Sequence, residues 1–393
     1  MNKKSWFLPF AFLAARLILL LSLPGEGLRG YGDYWNFYNQ ASLGIPFIDY
    51  WTEFPPLFPF LSRLLFQVAG GRQHTYEYIL ALILSLVQAV NIYIFLKLAE
   101  KIHPPHETRR RGWVYFALLI GLFYGWAYFD PLAVMALLLG SYWLLTERDI
   151  PAALALGFGA LTKWFPILVL VAAWKVRSPG RALKIIFITA GIVAIVWGGL
   201  YLVSPEATSA SLIAQSAKGS WETVWALVDG NLHTGNFGTG ADRTLPHTAY
   251  QQVGNPSYLS PWISLIAFAA LGLWLFLRAD LKTERQTIAF VGLTLVIFLI
   301  WSPGYSPQWA LYLLPLIFLV IPERECILLG LTLVLINLLE WPILLSRGYF
   351  WSLWLLIPLR TLIFVLMGVR FWMVSKEPFN KEPVSDKMKH ASL

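Results

Sequence analysis

The sequence predicts an all-α, polytopic membrane protein, and three observations support this fold class. Its 393 residues are 57% hydrophobic and only 13% charged, with a mean hydropathy of +0.60, whereas roughly 25% of the residues of a soluble domain are charged. The apolar residues form long runs, many of them near the roughly 20 residues that an α-helix needs to cross a bilayer. Most lysines and arginines lie in short clusters between those runs, as they do in the loops of membrane proteins.

The apolar runs divide the chain into twelve segments. They lie near 5–23, 76–99, 113–129, 131–146, 151–162, 164–174, 182–203, 259–278, 287–301, 307–321, 326–345 and 350–373. The first follows two lysines and ends without a small-residue cleavage site, so we expect a retained anchor rather than a cleaved signal peptide. The segments 151–162 and 164–174 are too short to cross about 30 Å singly. They predict a broken hairpin that turns at Lys163 and Trp164 within a bundle of about 10–12 transmembrane helices.

The distribution of positive charge predicts the orientation of the chain. With the N-terminus in the cytoplasm, twenty-one lysines and arginines fall on the cytoplasmic side and seven on the opposite side. Because positive loops stay inside, both termini are expected in the cytoplasm. The long loops 24–75 and 204–258 then lie outside it. This distribution also accounts for the net charge of +8, so nucleic acid is not an expected partner.

The chain predicts one membrane domain, 1–375, followed by a polar tail at 376–393 whose composition is typical of disorder. It has no room for a separate soluble catalytic domain of ordinary size. The single cysteine, Cys326, excludes an internal disulfide, and no Cys/His cluster has the spacing of a zinc site. Any chemistry is therefore expected on the membrane domain itself.

The first outer loop contains three carboxylates among aromatic residues, namely Asp33, Asp49 and Glu53. A helix is expected to begin near Asp33 and to end before Gly44, and 57–66 predicts a second, interfacial helix after two prolines. A partly desolvated carboxylate has a raised pKa and suits a general base, while tyrosine and tryptophan stack on sugar rings. The simpler alternative is that Asp33 only caps its helix within an interfacial belt of aromatic residues.

Several motifs resemble those of a known enzyme family. They are Gly32-Asp33-Tyr34, Tyr38, Gly44-x-Pro46, Asp49 and Glu53-Phe54-Pro55-Pro56-Leu57 in the first loop, and further on Gly159-Ala160-Leu161-Thr162-Lys163-Trp164-Phe165-Pro166 and Ser306-Pro307-Gln308-Trp309-Ala310-Leu311-Tyr312-Leu313-Leu314-Pro315. In order and in expected placement they are similar to the GT-C glycosyltransferases. The resemblance is to the polyprenol-phosphate-mannose-dependent mannosyltransferases of family 87 and to GPI mannosyltransferase I.

The resemblance implies a GT-C-like helical bundle and an inverting transferase embedded in the membrane. Asp33 would deprotonate the acceptor hydroxyl while that oxygen attacks the anomeric carbon of a lipid-phosphate sugar. Tyr31 stands where some relatives have the first aspartate of an Asp-x-Asp motif, so neither a metal nor another cofactor is expected. The residues expected to bind substrate are Tyr34, Tyr38, Asp49, Glu53, His233 and Gln308.

The expected donor is a polyprenyl-phosphate monosaccharide, and the resemblance indicates mannose. Nucleotide sugars are generally absent outside the cytoplasm, and the chain has no glycine-rich turn of the Rossmann type. A departing phosphate needs positive charge, for which the candidates are Lys163, Arg243 and Arg360. Alternatively, the Lys163 side chain extends to the membrane interface. For Arg360 the alternative is a structural ion pair with Glu340 in a neighbouring segment.

The favoured hypothesis is a glycosyltransferase of the plasma (inner) membrane, with an extracytoplasmic site and a glycolipid, glycan or protein as acceptor. A secondary transporter is an alternative, because twelve segments and a broken helix pair suit one, although its coupling carboxylates would lie near the midplane. An oligosaccharide polymerase or ligase also uses outer loops and lipid-linked donors. The glycine-rich stretch 230–243 predicts either a substrate lid or a mobile surface loop.

Overall fold

The computed structural model describes residues 6–237 and 241–378, and within these two stretches the chain is helical, with no β-strand. The all-α class is therefore confirmed. The eighteen α-helices of the described chain are α1 Phe7–Ser22, α2 Gly25–Arg29, α3 Tyr34–Ser42, α4 Leu57–Val68, α5 Gln73–Ile102, α6 Pro105–Ile120, α7 Tyr124–Ala127, α8 Asp130–Leu145, α9 Asp149–Ala160, α10 Val169–Val176, α11 Pro179–Val203, α12 Pro205–Ala217, α13 Val224–Asp229, α14 Pro261–Arg278, α15 Glu284–Trp301, α16 Ala310–Val320, α17 Glu323–Leu338 and α18 Leu353–Ser375. The predicted disordered tail lies, from residue 379 on, outside the described residues.

Six helical stretches of the described chain are long and apolar enough to cross a bilayer, judged by length and composition. They are Gln73–Ile102, Pro179–Val203, Pro261–Arg278, Glu284–Trp301, Glu323–Arg347 and Phe350–Ser375. Shorter apolar helices, among them α1, α8 and α9, pack beside them. This helix content is that of a membrane protein, and the total of about 10–12 crossings stays a prediction.

The broken hairpin predicted after residue 150 is present. α9 ends at Ala160, the chain turns through 161–164, and a 3₁₀ turn at Phe165–Leu168 leads into α10. Pro166 lacks an amide N–H and disfavours helical backbone in the residue before it, so it favours a break at this point. The turn places Lys163 at the mouth between two short helices.

One predicted segment differs in its boundaries. The apolar run 113–129 is not a single helix, because α6 begins at Pro105 and ends at Ile120. Proline is favoured at the first helical position. Arg111 forms an ion pair with Glu107, one turn earlier, at 2.8 Å, so the charged residues before the apolar run are helical as well. The remainder of the run forms a turn that contains α7.

The connections after α1, α6, α9, α11, α15 and α17 meet at one end of the bundle, which we call the site end. Backbone hydrogen bonds join them in pairs: Asp33 N to Ala127 O (3.3 Å), Leu57 N to Leu161 O (2.8 Å), Trp51 N to Arg243 O (2.9 Å) and Trp221 N to Pro303 O (3.1 Å). Trp341 donates its indole N–H to the carbonyl of Tyr31 at 2.9 Å. Segments that are far apart in the sequence are therefore held around one region.

The opposite end of the bundle, which we call the charged end, is held by arginine side chains. The Arg111 guanidinium donates to the carbonyls of Phe318 and Ile321, which end α16 (2.7 and 2.9 Å). Arg177, which follows the end of α10, pairs with Asp149 at the start of α9 at 3.0 Å. The lysine and arginine clusters at 97–111, 175–184 and 278–285, which the sequence analysis assigns to the cytoplasm, lie at this end.

The two helices predicted in the first loop are present. α3 begins after Asp33 and ends before Gly44, whose φ of +134° favours glycine. α4 follows the double proline. The ring of Phe58 on α4 stacks on Phe129 with centroids 3.9 Å apart, and Phe37 on α3 meets Phe58 edge-on at 4.6 Å. This aromatic cluster fixes both loop helices against the start of α8 and so fixes the position of Asp33.

The second long loop is more ordered than its composition predicts. Asn231 donates its side-chain amide to Ser220 Oγ (3.2 Å) and to Asn255 O (3.1 Å), and it accepts from Asn255 N (2.6 Å). Ser220 in turn donates to Asp229 at 2.6 Å. These side chains satisfy the backbone of a segment that has few apolar residues, so it packs as part of the fold. Residues 238–240 of the glycine-rich stretch lie outside the described residues.

Candidate active site

A cavity of about 410 Å³ opens at the site end of the bundle. Of the predicted site residues, Asp33, Glu53, Lys163 and Gln308 line it. Residues that the sequence analysis did not assign to the site line it as well, among them Asn36, Tyr128, Gln215, Lys218, Glu222 and Trp301. The cavity therefore combines carboxylates, amides, lysines and aromatic rings. They come from both long loops and from residues next to the ends of α9, α15, α16 and α17.

Asp33 stands immediately before α3 without capping it. Its side chain makes no hydrogen bond to the amides of the first turn, although it occupies the N-cap position. Its backbone N–H donates to Ala127 O, and Gly32 packs so closely on Ala127 that a Cβ there would lie 2.4 Å from the alanine Cβ. Contacts with Ala127 therefore fix the main chain of Asp33, while its carboxylate lines the cavity.

The surroundings of Asp33 change its acidity. Burial raises the pKa of Asp33 to about 6, and the nearby carboxylates of Glu53 and Asp130 raise it too. The lysines Lys163 and Lys218 act in the opposite direction but do not outweigh burial. A carboxylate with a pKa near 6 is ionised at neutral pH and is a stronger base than an ordinary aspartate.

Glu53 links the two long loops through charge. Arg243 forms a bidentate ion pair with it, with Nη1–Oε2 and Nη2–Oε1 distances of 2.5 and 3.0 Å. Burial would raise the pKa of Glu53, but Arg243 and Lys218 together outweigh burial and lower it. Arg243 also lies over the ring of Trp51 at 4.7 Å and does not line the cavity. Its predicted role as a phosphate ligand does not fit this placement, because the residue does not line the cavity and both terminal nitrogens of its guanidinium are bound to Glu53.

Lys218 is the functional candidate that the sequence analysis missed. It lines the cavity with only 8% of its side chain exposed, and its Nζ lies 4.0 Å from Glu53 Oε1. The ammonium sits 4.4 Å over Phe237 and 5.4 Å over Trp221. Burial lowers the pKa of Lys218 to about 8, Glu53 opposes this shift, and Arg243 adds to it. No local pattern marks this lysine, since it simply follows α12 in a polar loop.

Lys163 reaches the cavity from the broken hairpin. Its Nζ pairs with Asp130 Oδ1 at 2.7 Å and lies 4.8 Å over the ring of Phe129. The side chain is 13% exposed, so the ammonium is held from behind by Asp130 and faces the cavity in front. Lys163 thus does not extend to the membrane interface. Lys163 and Lys218 are the two lysines of the described chain that line the cavity.

The structure does not bring Tyr34 or Tyr38 to the cavity. Tyr34 is fully buried and donates its hydroxyl to Trp126 O, and Tyr38 donates its hydroxyl to Gly71 O at 2.7 Å. Residues four apart share one face of a helix, and here that face of α3 packs into the bundle. Asn36 on the other side of α3 lines the cavity instead.

Two more predicted substrate-binding residues stabilise turns. Asp49 accepts a hydrogen bond from the backbone N–H of Ile45 at 2.6 Å and packs against Gly44. His233 has its Nδ1 2.7 Å from Thr234 O, and the three residues that follow it, not His233 itself, line the cavity. Neither position fits direct contact with a ligand in the cavity.

Arg360 is a structural partner in this fold. It is 1% exposed, forms an ion pair with Glu340, and donates to the backbone carbonyl of Glu222. Its guanidinium also lies 4.1 Å over the ring of Tyr305. The alternative pairing with Glu340 is therefore confirmed, and the predicted contact of Arg360 with a donor phosphate does not fit its burial.

An apolar groove of about 360 Å³ runs along the bundle beside the cavity. It is lined by α10, α14 and α15, with Thr294 among its few polar side chains. Phe298 and Trp301 on α15 line both the groove and the cavity. The polar cavity therefore adjoins an apolar surface on α14 and α15, two of the candidate membrane spans.

No family model matches the chain, and no curated protein matches it. The chemistry of the site must therefore be argued from its own residues. It offers Asp33 with its raised pKa, two lysine ammonium groups and neutral amides within one cavity. This combination suits the transfer of a group between a hydroxyl and a phosphate, with a proton accepted by the carboxylate.

Proposed function

We propose that the chain is a membrane glycosyltransferase that moves a monosaccharide from a polyprenyl-phosphate donor to a hydroxyl of an acceptor. The observation that carries this proposal is the cavity in which Asp33 faces Lys163 and Lys218 beside an apolar groove. A base, positive charge for a phosphate and a surface for a long lipid are the three parts that such a transfer needs.

Asp33 acts as the general base in this proposal. It takes the proton of the acceptor hydroxyl as the acceptor oxygen forms a bond to the anomeric carbon of the donor sugar. The bond between that carbon and the phosphate oxygen breaks, and its electron pair leaves with the lipid phosphate. A single displacement of this kind inverts the configuration of the anomeric carbon. The raised pKa of Asp33 supports the role, because proton acceptance is most effective when the pKa lies near the working pH.

Lys163 and Lys218 stabilise the leaving phosphate. Both ammonium groups are largely buried, at 13% and 8% side-chain exposure, and each has an acidic partner behind it, Asp130 and Glu53. Charge held in a fixed, poorly hydrated site stabilises a developing anion more strongly than charge in water. Arg243 acts indirectly: its ion pair with Glu53 positions that carboxylate and, through it, Lys218.

The lipid chain of the donor lies in the apolar groove. Phe298 and Trp301 form the wall at which the groove meets the cavity. A donor whose phosphate binds at the two lysines would therefore place its hydrocarbon chain along α14 and α15. Positive charge concentrated at the other end of the bundle supports an extracytoplasmic site end in the plasma (inner) membrane. The motif resemblance supports mannose as the sugar, with a glycolipid, glycan or protein as acceptor.

The test is turnover by purified protein with a panel of polyprenyl-phosphate sugars and acceptors, followed by release of polyprenyl phosphate. Lys163→Met and Lys218→Met are each expected to lower turnover at least tenfold, because each removes positive charge from the leaving group. Lys184→Met is the matched control, since Lys184 is an exposed lysine at the charged end. Turnover with nucleotide sugars alone, or equal loss in all three variants, contradicts the proposal.

A further inference from the structure

Asn36 is a cavity residue to which the proposed function assigns no role. It lies in the first turn of α3, three positions after Asp33, and both residues line the cavity. Residues three apart are neighbours on a helix surface, with Cβ atoms roughly 5–6 Å from each other. Asn36 therefore presents a neutral amide beside the carboxylate of Asp33.

A relay of hydrogen bonds fixes the Asn36 side chain. Gln40, one turn later on α3, donates from its Nε2 to Asn36 Oδ1 at 2.9 Å. Thr52 donates its hydroxyl to Gln40 Oε1 at 2.9 Å, and its backbone N–H donates to Ser211 Oγ on α12 at 3.0 Å. Gln40 and Thr52 are 5% and 0% exposed. The relay is therefore shielded from water, and it joins the first outer loop to α12.

The buried hydroxyl of Thr52 sets the direction of this relay. An amide group can be turned so that its oxygen and nitrogen exchange places. In the turned arrangement Gln40 would donate to Thr52 Oγ1, which also receives the backbone N–H of Phe54 at 3.5 Å. The hydroxyl hydrogen of Thr52 would then have no acceptor among the described residues, and a buried donor without a partner is costly. Thr52 therefore donates to Gln40, and Gln40 donates to Oδ1 of Asn36.

This direction leaves the Nδ2 group of Asn36 free to donate. It makes no hydrogen bond to another described residue, and it is not one of the unpartnered atoms that the fold buries, so a ligand can reach it. The residue is partly exposed and lines the cavity. Because Oδ1 is already occupied by Gln40, the amide offers a ligand only its N–H groups. The ligand atom at this point must therefore be an oxygen that accepts a hydrogen bond.

We propose that Asn36 binds the acceptor by donating to a second hydroxyl oxygen, next to the hydroxyl that Asp33 deprotonates. α3 follows the base, whereas the two lysines for the donor phosphate come from the broken hairpin and the second long loop. A group bound between Asp33 and Asn36 therefore belongs to the acceptor. Gln40 and Thr52 are positioning residues that keep the Asn36 amide in its donating orientation.

The proposal narrows the class of acceptor. Neighbouring hydroxyl groups are present on a sugar ring and absent from the side chains of serine and threonine. The acceptor is accordingly the sugar of a glycan or glycolipid and not a protein side chain. This inference rests on the proposed function and adds to it the chemical class of the second substrate.

The experiment measures kcat/KM for transfer from polyprenyl-phosphate mannose to a panel of octyl glycosides and of serine- and threonine-containing peptides. Wild-type protein is expected to use a glycoside, which is then compared with its monodeoxy analogues. The analogue without the reacting hydroxyl gives no product. One other analogue should be used about tenfold less well than the parent, because it lacks the oxygen that accepts from Asn36.

Asn36→Ala should lower kcat/KM for the parent glycoside by about the same factor and should use that analogue as well as the parent, because the same hydrogen bond is already lost. Its affinity for the donor should stay within about twofold. Asn36→Asp still accepts from Gln40 but presents an oxygen in place of the N–H groups, so it should not restore the loss. Thr52→Val removes the hydroxyl that sets the direction, and it should reduce the difference between the parent and that analogue.

Asn39→Ala is the matched control, since Asn39 is the same residue type on α3 and does not line the cavity. Equal use of the remaining analogues by wild-type protein, equal loss for the parent and every analogue in Asn36→Ala, or rescue by Asn36→Asp overturns the inference. Transfer to peptides alone overturns it too and leaves the proposed function standing. Protein that transfers to neither glycosides nor peptides contradicts the proposed function itself, and the inference falls with it.

Discussion

Asp33 stands at the start of α3, but its side chain does not cap that helix. Thr223, Ser260 and Thr283 each accept a hydrogen bond from the first turn of their helix, and Thr283 forms a full capping box with Gln286. Asp33 occupies the same position before α3 and makes no such bond. A carboxylate that is spared from capping, partly buried and close to other carboxylates is free to act in the cavity.

Replacing Asp33 by asparagine should separate catalysis from stability. Asp33→Asn keeps the shape but cannot accept the proton, so turnover should fall on the order of 10²–10⁴-fold. Because burial raises the pKa of Asp33, ionisation at neutral pH costs folding free energy. The variant should therefore be more stable at pH 7, by about 2 kcal/mol. Thermal unfolding and turnover are the two measurements.

Glu26→Gln is the control for this change, since Glu26 is an exposed carboxylate in the same loop. It should alter neither measurement. Near-normal turnover of Asp33→Asn would remove Asp33 from catalysis, and a drop in stability with a proportional drop in activity would make it a structural residue.

The same acidity predicts a bell-shaped dependence of turnover on pH. The pKa of Asp33 is raised to about 6, so the base is protonated and inactive below about pH 6. The pKa of Lys218 is lowered to about 8, so the phosphate loses one of its cations above about pH 8. A profile of kcat/KM against pH should show both limbs, and Lys218→Arg should remove the alkaline limb, because arginine stays charged. An unchanged alkaline limb in Lys218→Arg would exclude Lys218 as the group whose deprotonation lowers turnover.

At the scale of elements, the turn before α3 and the turn that contains α7 act as one unit. Asp33 N donates to Ala127 O, Tyr128 donates its hydroxyl to Tyr31 O at 3.1 Å, and Gly32 lies against Ala127. The position of the Asp33 carboxylate thus depends on a contact that only glycine permits. α8 and Asp130 begin just beyond this contact, so the same unit also positions the partner of Lys163.

Gly32→Ala tests this coupling between elements. The added Cβ would lie 2.4 Å from the Cβ of Ala127 and 2.8 Å from its carbonyl oxygen, so the segment before α3 must shift. A shift near 1 Å at a catalytic group costs about 100-fold in rate, so turnover should fall by at least tenfold. Gly121→Ala is the control, because nothing lies within 4 Å of a Cβ there. Equal activity of the two variants would contradict the coupling.

At the scale of the whole molecule, the apolar groove adjoins the cavity at Phe298 and Trp301, and the proposed donor would lay its lipid chain along it. Gly272 on α14 lines the groove, and a Cβ there would meet nothing within 4 Å. Gly272→Leu should therefore fill the groove without disturbing the helix. The KM for a long-chain donor should rise about tenfold, since burial of several CH₂ groups at about 0.8 kcal/mol each is lost. A short-chain, water-soluble donor should be used as before.

Gly199→Leu is the matched control, because Gly199 lies on the exposed face of α11 with no neighbour within 4 Å. A rise in KM for the short-chain donor as well would mean that Gly272→Leu distorts the cavity. No rise in KM for either donor would mean that the lipid chain does not bind in this groove.

The two ends of the bundle should lie on opposite sides of the membrane. Cys326, the single cysteine, is buried and can be replaced by serine. In that background, Tyr258→Cys at the site end, where Tyr258 is 90% exposed, should react with an impermeant thiol reagent on intact cells. Lys101→Cys, an exposed position at the charged end, should react only after permeabilisation. The reverse pattern would place the site end in the cytoplasm and remove the argument for a lipid-linked donor.

Features that depend on local patterns were predictable. Apolar runs and prolines predicted the helices, the break near Lys163 and the two helices of the first loop, because hydrophobic length and missing amide donors act within a few residues. Clustered carboxylates and aromatic residues also drew attention to Asp33 and Glu53, which do line the cavity. Gln308 was predicted as a polar residue at the outer start of a segment, either to bind substrate or to cap its helix, and it lines the cavity as well. The run at 113–129 was misjudged because a charged first turn can be helical when its ion pairs lie one turn apart.

The sequence by itself thus determined the all-α class, the order of the helices and the loop whose carboxylates Asp33 and Glu53 line the cavity. Only the tertiary structure decided which charges face the cavity. Arg243 is paired with Glu53, 190 positions away, and Arg360 with the backbone of Glu222, 138 positions away, whereas Lys218 faces the cavity. The physical reason is that a charge is free or neutralised according to its burial and its partner. Both depend on contacts between loops that no local pattern specifies.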